Sequence, residues 1–276
     1  CPFSSLYSPG KQESSKPTTM KIYALQFDSR WKDKESNFAL VSSLLNERKV
    51  SENSLIVLPE MFATGFCLDP DLSSAKETEK TELFLSELAH QMKSWVIGGM
   101  THPSQEARKA FNTAVSYNPQ GQKISIYKKL HPIPVLGEDK VHLPGNIVES
   151  FAVNSFTVTP AICYDLRFPE LFRSALHFGT DLFVVLGCWP QNRIEHWVTL
   201  LRARAIENQA FVIGVNRVGD DQGLKYGGRT MVITPKGEIL TDGERMEGVI
   251  EAEIKSSSAK QWRKEFPAIK EILEAS

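Results

Sequence analysis

The sequence predicts a single α/β domain built on mixed β-sheets. Short apolar runs alternate with helical patterns from Met20 to the C-terminus, an order that is typical of layered α/β folds. Hairpin patterns occur among the crossover patterns, so we expect mixed sheets and not a purely parallel one. The chain has 276 residues, and no repeat, linker-like stretch or break in composition divides it after residue 20. One domain is therefore favoured over two small ones.

The strands are predicted from β-branched or alternating apolar runs of strand length. The turn signal NPQG at 118–121 separates two such runs and predicts a hairpin, and PKG at 235–237 is a further turn. The predicted strands are Lys21–Phe27, Ser54–Pro59, Trp95–Met100, Phe111–Tyr117, Lys123–Tyr127, Phe156–Ile162, Asp181–Gly187, Phe211–Asn216, Arg229–Thr234 and Gly248–Glu253.

The helices are predicted between these strands. Helix-like segments separate the first three strands, Pro169–Phe178 is expected to connect two strands, and Asn192–Asn208 is a longer helix. The C-terminal segment Ala259–Ala275 mixes aromatic and aliphatic residues with charges at helical spacing, which indicates an amphipathic surface helix. No G-x-G-x-x-G or Walker loop occurs, so no nucleotide cofactor is expected.

Composition and charge exclude several classes of partner. The formal net charge is −1 and no Lys/Arg block occurs, which argues against nucleic acid or an anionic membrane as the partner. No apolar run approaches the roughly 20 residues needed to span a bilayer. The four cysteines, Cys1, Cys67, Cys163 and Cys188, contain no C-x-x-C pair and are too few for a disulfide framework. Reduced thiols favour the cytoplasm.

The first segment, residues 1–19, differs from the rest of the chain. It begins at Cys1 and is rich in Ser, Thr, Pro and Lys, so we interpret it as a poorly ordered leader or processing remnant. The alternative is that Cys1 is the lipid-bearing residue of a processed lipoprotein. The domain is then expected to cover residues 20–276.

Three chemically reactive side chains follow predicted strands. Glu60 follows SLIVLP, Lys129 follows ISIY, and Cys163 follows FTVTPAI. Side chains at strand ends project from a rigid scaffold into loop-lined crevices, where sites commonly form. Together they suffice to open an amide: Cys163 is the nucleophile and Glu60 takes its proton. Lys129 and the backbone N–H of Tyr164 stabilise the oxyanion, and no metal is required.

Each of these residues also has an ordinary structural interpretation. A single Glu or Lys after a strand is usually a solvated surface charge. A Cys at the end of an apolar strand is more often a small core residue than a catalyst. The neighbouring motifs therefore decide between the two interpretations.

Those motifs resemble the nitrilase superfamily of carbon–nitrogen hydrolases from about Met20 to Ile272. They are LPEMFATGF at 58–66, YKKLHP at 127–132, GED at 137–139, CYDLRFPEL at 163–171 and HWVTLLRARAIENQAFVIGVNRVG at 196–219. The resemblance implies an αββα sandwich of two mixed β-sheets that pairs into a homodimer or higher homo-oligomer. It places the Glu–Lys–Cys triad on Glu60, Lys129 and Cys163, with Lys128 at a variable position, and an auxiliary substrate-orienting glutamate on Glu138. It implies neither a cofactor nor a metal.

The motifs look most like the ω-amidase branch, which hydrolyses the terminal amide of 2-oxoglutaramate and 2-oxosuccinamate. A pocket for such a small anionic acid needs a cation, and Arg167 could supply it. The alternative is that Arg167 forms a structural ion pair with Asp165 or Glu170. Phe66, Tyr127 and Trp189 are candidate pocket walls, although an aromatic residue beside a strand is more often core.

Two positions depart from the family pattern. Pro132 stands where relatives usually carry Leu before a bulky residue, and Cys188 stands where they often carry Asn or Ser. Cys188 is interpreted as a buried small residue, with oxidation of a thiol so near Cys163 as the alternative. Other hydrolases of the superfamily, acting on N-carbamoyl amines, deaminated glutathione or nitriles, remain alternatives, as do a non-catalytic scaffold and a metal-dependent amidase.

Overall fold

The structure, a computed structural model, describes residues 19–274. The predicted leader, apart from Thr19, lies outside these residues. The strands of the described chain are β1 Thr19–Gln26, β2 Leu55–Val57, β3 Trp95–Pro103, β4 Ala110–Tyr117, β5 Lys123–Lys128, β6 Phe151–Val153, β7 Phe156–Ile162, β8 Leu182–Gly187, β9 Phe211–Asn216, β10 Val218–Asp221, β11 Leu224–Gly227, β12 Met231–Ile233, β13 Ile239–Asp242 and β14 Gly248–Lys255. The helices are α1 Lys34–Asn46, α2 Ala75–Met92, α3 Pro169–Ala175, α4 Ile194–Asn208, α5 Ser256–Glu265 and α6 Ala268–Glu274.

Two six-stranded mixed sheets form the centre of the molecule. The first has the order β14-β1-β2-β3-β4-β5, and the second has the order β13-β12-β9-β8-β7-β6. In each sheet three central strands run parallel, and antiparallel strands flank them on both sides. The carboxyl ends of β7 and β8 therefore lie side by side, with Ile162 paired to Leu186.

The period-2 alternation of β1 shows how the layers pack. Ile22 and Ala24 face the second sheet, in a core that both sheets share. Tyr23 and Leu25 face the opposite way, into a second core with residues of α1 and α2. Helices α3 and α4 cover the outer face of the second sheet. These layers confirm the predicted αββα sandwich with two mixed sheets.

Several boundaries differ from the predictions. The helix predicted over Pro169–Phe178 ends as an α-helix at Ala175 and continues as one 3₁₀ turn, and a 3₁₀ turn at Gln191–Arg193 precedes α4. The C-terminal helix is divided into α5 and α6 at Phe266–Pro267, since proline removes a backbone donor and restricts the preceding residue. No helix among residues 19–274 is long and apolar enough to cross a membrane.

Candidate active site

Glu60 lies just beyond β2, with a side chain that is wholly buried. Its Oε2 accepts a hydrogen bond from the backbone N–H of Cys188 at 2.8 Å, and its Oε1 accepts from Asn112 Nδ2 at 2.7 Å. The main chain at Glu60 passes so close to β3 that a Cβ on Gly99 would lie 2.5 Å from the Cα of Glu60. Only glycine fits there without displacing the main chain, so β3 fixes the position of Glu60.

Lys129 follows β5 and its ammonium group bridges two carboxylates. Nζ donates to Glu60 Oε1 at 3.0 Å and to Glu138 Oε2 at 2.8 Å, and all three side chains are fully buried. Burial alone would lower the pKa of Lys129, but the charges of Glu60 and Glu138 outweigh it and raise that pKa well above its usual value. Lys129 is therefore a fixed cation, whereas the neighbouring Lys128 points to the surface over the ring of Phe111.

Glu138 begins a short 3₁₀ turn and completes the buried ionic group. It accepts hydrogen bonds from Asn112 Nδ2 at 2.7 Å and from the backbone N–H of Ile133 at 2.7 Å, besides that from Lys129. Burial would raise its pKa, but the charge of Lys129 and the side-chain hydrogen bonds from His142, Lys129 and Asn112 lower it to about 2. Glu138 is thus an anion that holds Lys129 in place and keeps it protonated.

Cys163 is the first residue after β7 and adopts a left-handed backbone with φ of 46°. This conformation is unusual for a residue with a Cβ and is typical of strained functional turns. The turn is held by Asp165, whose carboxylate accepts from the backbone N–H of Ile162 at 3.0 Å and from that of His131 at 2.9 Å. Burial and the nearby charge of Glu60 raise the pKa of the Cys163 thiol well above 9.0, while Lys129 opposes them. The resting group is therefore a thiol, so its attack on a carbonyl requires a base.

A small pocket leads to Cys163 and encloses about 310 Å³ of unfilled space, its open mouth included. Phe66, Trp189 and Tyr164 belong to its walls. The residues that line it are Phe66, Ile133, Leu136, Cys163, Tyr164, Arg167, Cys188, Trp189, Pro190 and Arg193.

The structure bears on two predictions about the pocket, one for Tyr127 and one for Arg167. The prediction that Tyr127 is a pocket wall is wrong: its ring lies in the core between the sheets, and its hydroxyl donates to Asp165 at 2.7 Å. Arg167 makes no ion pair with Asp165 or Glu170 in the described chain. It lies 4.8 Å from the centre of the Trp189 ring, and its Nη2 is 3.2 Å from His196 Nδ1. Arg167 lines the pocket, and its role as the pocket cation stays a prediction.

The structure also brings in residues that the sequence reasoning did not single out. Asn112, in β4, donates to both carboxylates, and its Oδ1 is buried without a hydrogen-bond partner. His142 Nδ1 lies 3.4 Å from Glu138 Oε1, and Arg193 reaches the pocket.

Cys188, expected to be a buried small residue, is buried, and its thiol donates to the carbonyl of Glu60 at 3.2 Å. Among residues 19–274, no group of three or more His, Cys, Asp or Glu side chains is placed to hold a metal ion.

Comparison with known proteins gives consistent relatives. A carbon–nitrogen hydrolase family model matches residues 21–264. A 2-oxoglutaramate amidase of Paenarthrobacter nicotinovorans is 39% identical over 230 residues, which cover 80% of this chain and 78% of the relative. The omega-amidase YafV of Yersinia enterocolitica is 33% identical, with 91% and 96% covered. The solved structure of XC1258 from Xanthomonas campestris, a CN-hydrolase superfamily protein with an arsenic adduct in its active site, superposes with a TM-score of 0.81 at 28% identity, covering 92% of this chain and 97% of that one.

Proposed function

The chain belongs to the carbon–nitrogen hydrolase family and is an enzyme that acts on amides, and from that premise we propose that its substrate is a short ω-amide of a carboxylic acid. The products are the corresponding diacid and ammonia. The observation that carries this proposal is Lys129, buried between Glu60 and Glu138 beside the thiol of Cys163. Cys163 lines a pocket that also presents the guanidinium of Arg167. The relatives named for 2-oxoglutaramate make that molecule, with 2-oxosuccinamate, the first candidate.

The first half of the proposed reaction forms a thioester. Glu60 accepts the proton of the Cys163 thiol while the sulfur attacks the amide carbonyl carbon, which gives a tetrahedral oxyanion. Lys129 and the backbone N–H of Tyr164 stabilise that negative charge. Glu60 then returns the proton to the amide nitrogen, the carbon–nitrogen bond breaks, and ammonia leaves.

The second half releases the acid. A water molecule enters the position vacated by ammonia and loses a proton to Glu60 as it attacks the thioester carbonyl. The second tetrahedral intermediate collapses, the carbon–sulfur bond breaks, and the proton returns to the sulfur of Cys163. Because Lys129 stays protonated in its bridge between two carboxylates, it acts as a fixed cation throughout, and Glu60 alone shuttles the proton.

The decisive experiment combines a substrate panel with intact-mass analysis. Initial rates are measured as ammonia release with 2-oxoglutaramate, 2-oxosuccinamate, an N-carbamoyl amine and a nitrile. With deaminated glutathione they are measured as release of cysteinylglycine, since its scissile amide gives that amine and not ammonia. We expect fastest turnover of a 2-oxo ω-amide and an acyl adduct on Cys163 in rapidly quenched samples. In Cys163→Ala, kcat should fall at least about 10³-fold and the acyl adduct should be absent, since the nucleophile is removed.

Other outcomes are equally clear. Faster turnover of the carbamoyl compound, the nitrile or deaminated glutathione would replace this substrate assignment with one of the other hydrolases of the superfamily. A fully active Cys163→Ala protein would show that the thiol is not the nucleophile. Loss of wild-type activity in the presence of a chelator would instead indicate a metal-dependent amidase.

Cellular location and assembly are part of the same proposal. We place the enzyme in the cytoplasm because three cysteines, Cys67, Cys163 and Cys188, are free thiols in the described chain.

A homodimer is expected from the family resemblance, with contacts from the C-terminal helices, where Phe266 and Leu273 expose apolar surface. Light scattering in solution tests this, since a monomeric mass would contradict it.

A further inference from the structure

We propose that Arg193 is a specificity-determining residue that, together with Arg167, binds the carboxylate end of the substrate. This inference deepens the proposed function and rests on it. Both side chains line the pocket that contains Cys163, and both are half-buried. The two guanidinium groups would define which end of a short bifunctional molecule enters first.

The turn that carries Arg193 is held rigidly. The backbone carbonyl of Arg193 accepts a hydrogen bond from Trp189 Nε1 at 2.7 Å, and the backbone N–H of Arg193 donates to the carbonyl of Pro190 at 3.1 Å. Trp189 is itself fixed, because its backbone N–H donates to Asn216 Oδ1 at 2.7 Å. The indole ring thus joins the two cations: it lies under Arg167 and anchors the backbone of Arg193. These contacts fix the backbone position from which the Arg193 side chain reaches the pocket.

The charge at the pocket mouth is not balanced by the protein. No acidic side chain lines this pocket, and within residues 19–274 neither Arg167 nor Arg193 forms an ion pair. The other lining side chains are apolar, aromatic or thiol groups. Half-buried cations in such surroundings favour an anionic ligand, and the planar guanidinium group matches the planar shape of a carboxylate.

The charges deeper in the site have the opposite sign and complete the argument. Glu60, Glu138 and Lys129 sum to one net negative charge, and they are buried beyond Cys163. A substrate carboxylate is therefore repelled from the base of the site and attracted to its mouth, while a neutral amide meets no such penalty at the base. This polarity orients a short ω-amide with its amide carbon towards Cys163. A neutral amide of the same length gains nothing from the two arginines.

The test compares two amides of matched length on purified full-length protein, one with a terminal carboxylate (glutaramate) and one with a methyl group in its place (pentanamide). In Arg193→Leu we expect kcat/KM for glutaramate to fall about 10- to 100-fold, mainly through KM, as for other lost hydrogen bonds to charged groups. The value for pentanamide should stay within about twofold, and Arg193→Lys should recover part of the loss for glutaramate. Arg245→Leu, an exposed arginine outside the pocket, is the matched control and should change neither value.

Each result has one meaning. If wild-type enzyme shows no preference for glutaramate over pentanamide, both the proposed function and this inference fail. If wild type has the preference and Arg193→Leu keeps it, only the role of Arg193 is overturned. Equal loss with both amides would also overturn it, because it would indicate a structural role for the turn. With 2-oxoglutaramate, losses in Arg193→Leu and Arg167→Leu that are not additive in the double variant would support a shared ligand group.

Discussion

At the scale of single residues, the amide of Asn112 donates hydrogen bonds to both acids of the site, Glu60 and Glu138. One nitrogen, Nδ2, lies 2.7 Å from Glu60 Oε1 and 2.7 Å from Glu138 Oε1. Two carboxylates so close together repel each other, and Asn112 gives each of them a second side-chain donor besides Lys129. Asn112 therefore orients Glu60 towards Cys163 without touching the reacting atoms. It is a positioning residue.

We predict that Asn112→Leu lowers kcat about 10- to 100-fold with little change in KM, because the base is displaced but the pocket mouth is intact. The pH–rate profile should shift as well, since Glu138 loses a donor that lowers its pKa. Asn208→Leu removes another fully buried amide, one that bonds within α4, and serves as the control for lost stability. An Asn112→Leu enzyme with wild-type kcat and pH profile would disprove this role.

At the scale of secondary-structure elements, β3 determines where Glu60 lies, through two adjacent glycines that face opposite sides of the sheet. A Cβ on Gly99 would meet backbone atoms, 2.5 Å from the Cα of Glu60 and 2.6 Å from the carbonyl oxygen of Pro59. A Cβ on Gly98 would meet the end of the Leu85 side chain, at 2.8 Å. A side-chain end can rotate away, whereas the main chain cannot move without carrying Glu60 with it.

Gly99→Ala should therefore reduce kcat strongly, whereas Gly98→Ala should cost about 1 to 3 kcal/mol of unfolding free energy and leave kcat of the folded protein near wild type. Urea denaturation and steady-state kinetics on both variants separate the two effects. Equal activity of the two variants would show that β3 does not constrain Glu60.

The same elements show what the sequence could and could not predict. Strands such as β7 and β8 were predicted because continuous apolar runs mark buried parallel strands. By contrast, β10 and β11 have the sequences VGDD and LKYG, which carry no apolar alternation, so the hairpin that they form was missed. The break between α5 and α6 was also missed, although Pro267 was a visible signal for it.

The candidate site follows the same division. Glu60, Lys129 and Cys163 were recognisable because each follows a strand and stands in a family motif. Asn112 lies in β4 on the inward face, the same face as Ala114. The hydrogen-bond partners of its amide, Glu60 and Glu138, are distant in sequence. Its role arises only when Glu138 folds back from a separate loop. Arg193 was hidden within the predicted helix Asn192–Asn208, and only the 3₁₀ turn before α4 aims it at the pocket.

At the scale of the whole molecule, the site is assembled across the interface between the two sheets. Glu60, Asn112 and Lys129 come from the first sheet, whereas Cys163 and Cys188 follow strands of the second. The hydrogen bond from the Cys188 N–H to Glu60 Oε2 joins the two halves directly. The ionic group is thus buried only when the second sheet packs over it, so its protonation must be linked to the stability of the whole fold.

That linkage has a definite sign. The folded-state pKa of Glu138 is about 2, below the value of about 4.3 for an unfolded glutamate. Between these values the unfolded chain binds a proton that the native protein does not bind, so stability rises with pH. The contribution of Glu138 is fully present above about pH 5 and is lost as pH falls towards about 2.

We therefore predict that the unfolding free energy of wild type, measured by urea denaturation, falls between pH 6 and pH 3 more steeply than that of Glu138→Gln. The glutamine keeps the size and part of the hydrogen bonding but cannot bind the proton. The variant should be less stable than wild type at pH 6, because Lys129 loses one of its two carboxylates, and the difference should narrow at pH 3. Glu79→Gln, a change to an exposed carboxylate on α2, should leave the wild-type slope unchanged. Parallel pH dependences for wild type and Glu138→Gln would mean that Glu138 binds its proton equally in the folded and unfolded chain, which would contradict the buried bridge with Lys129.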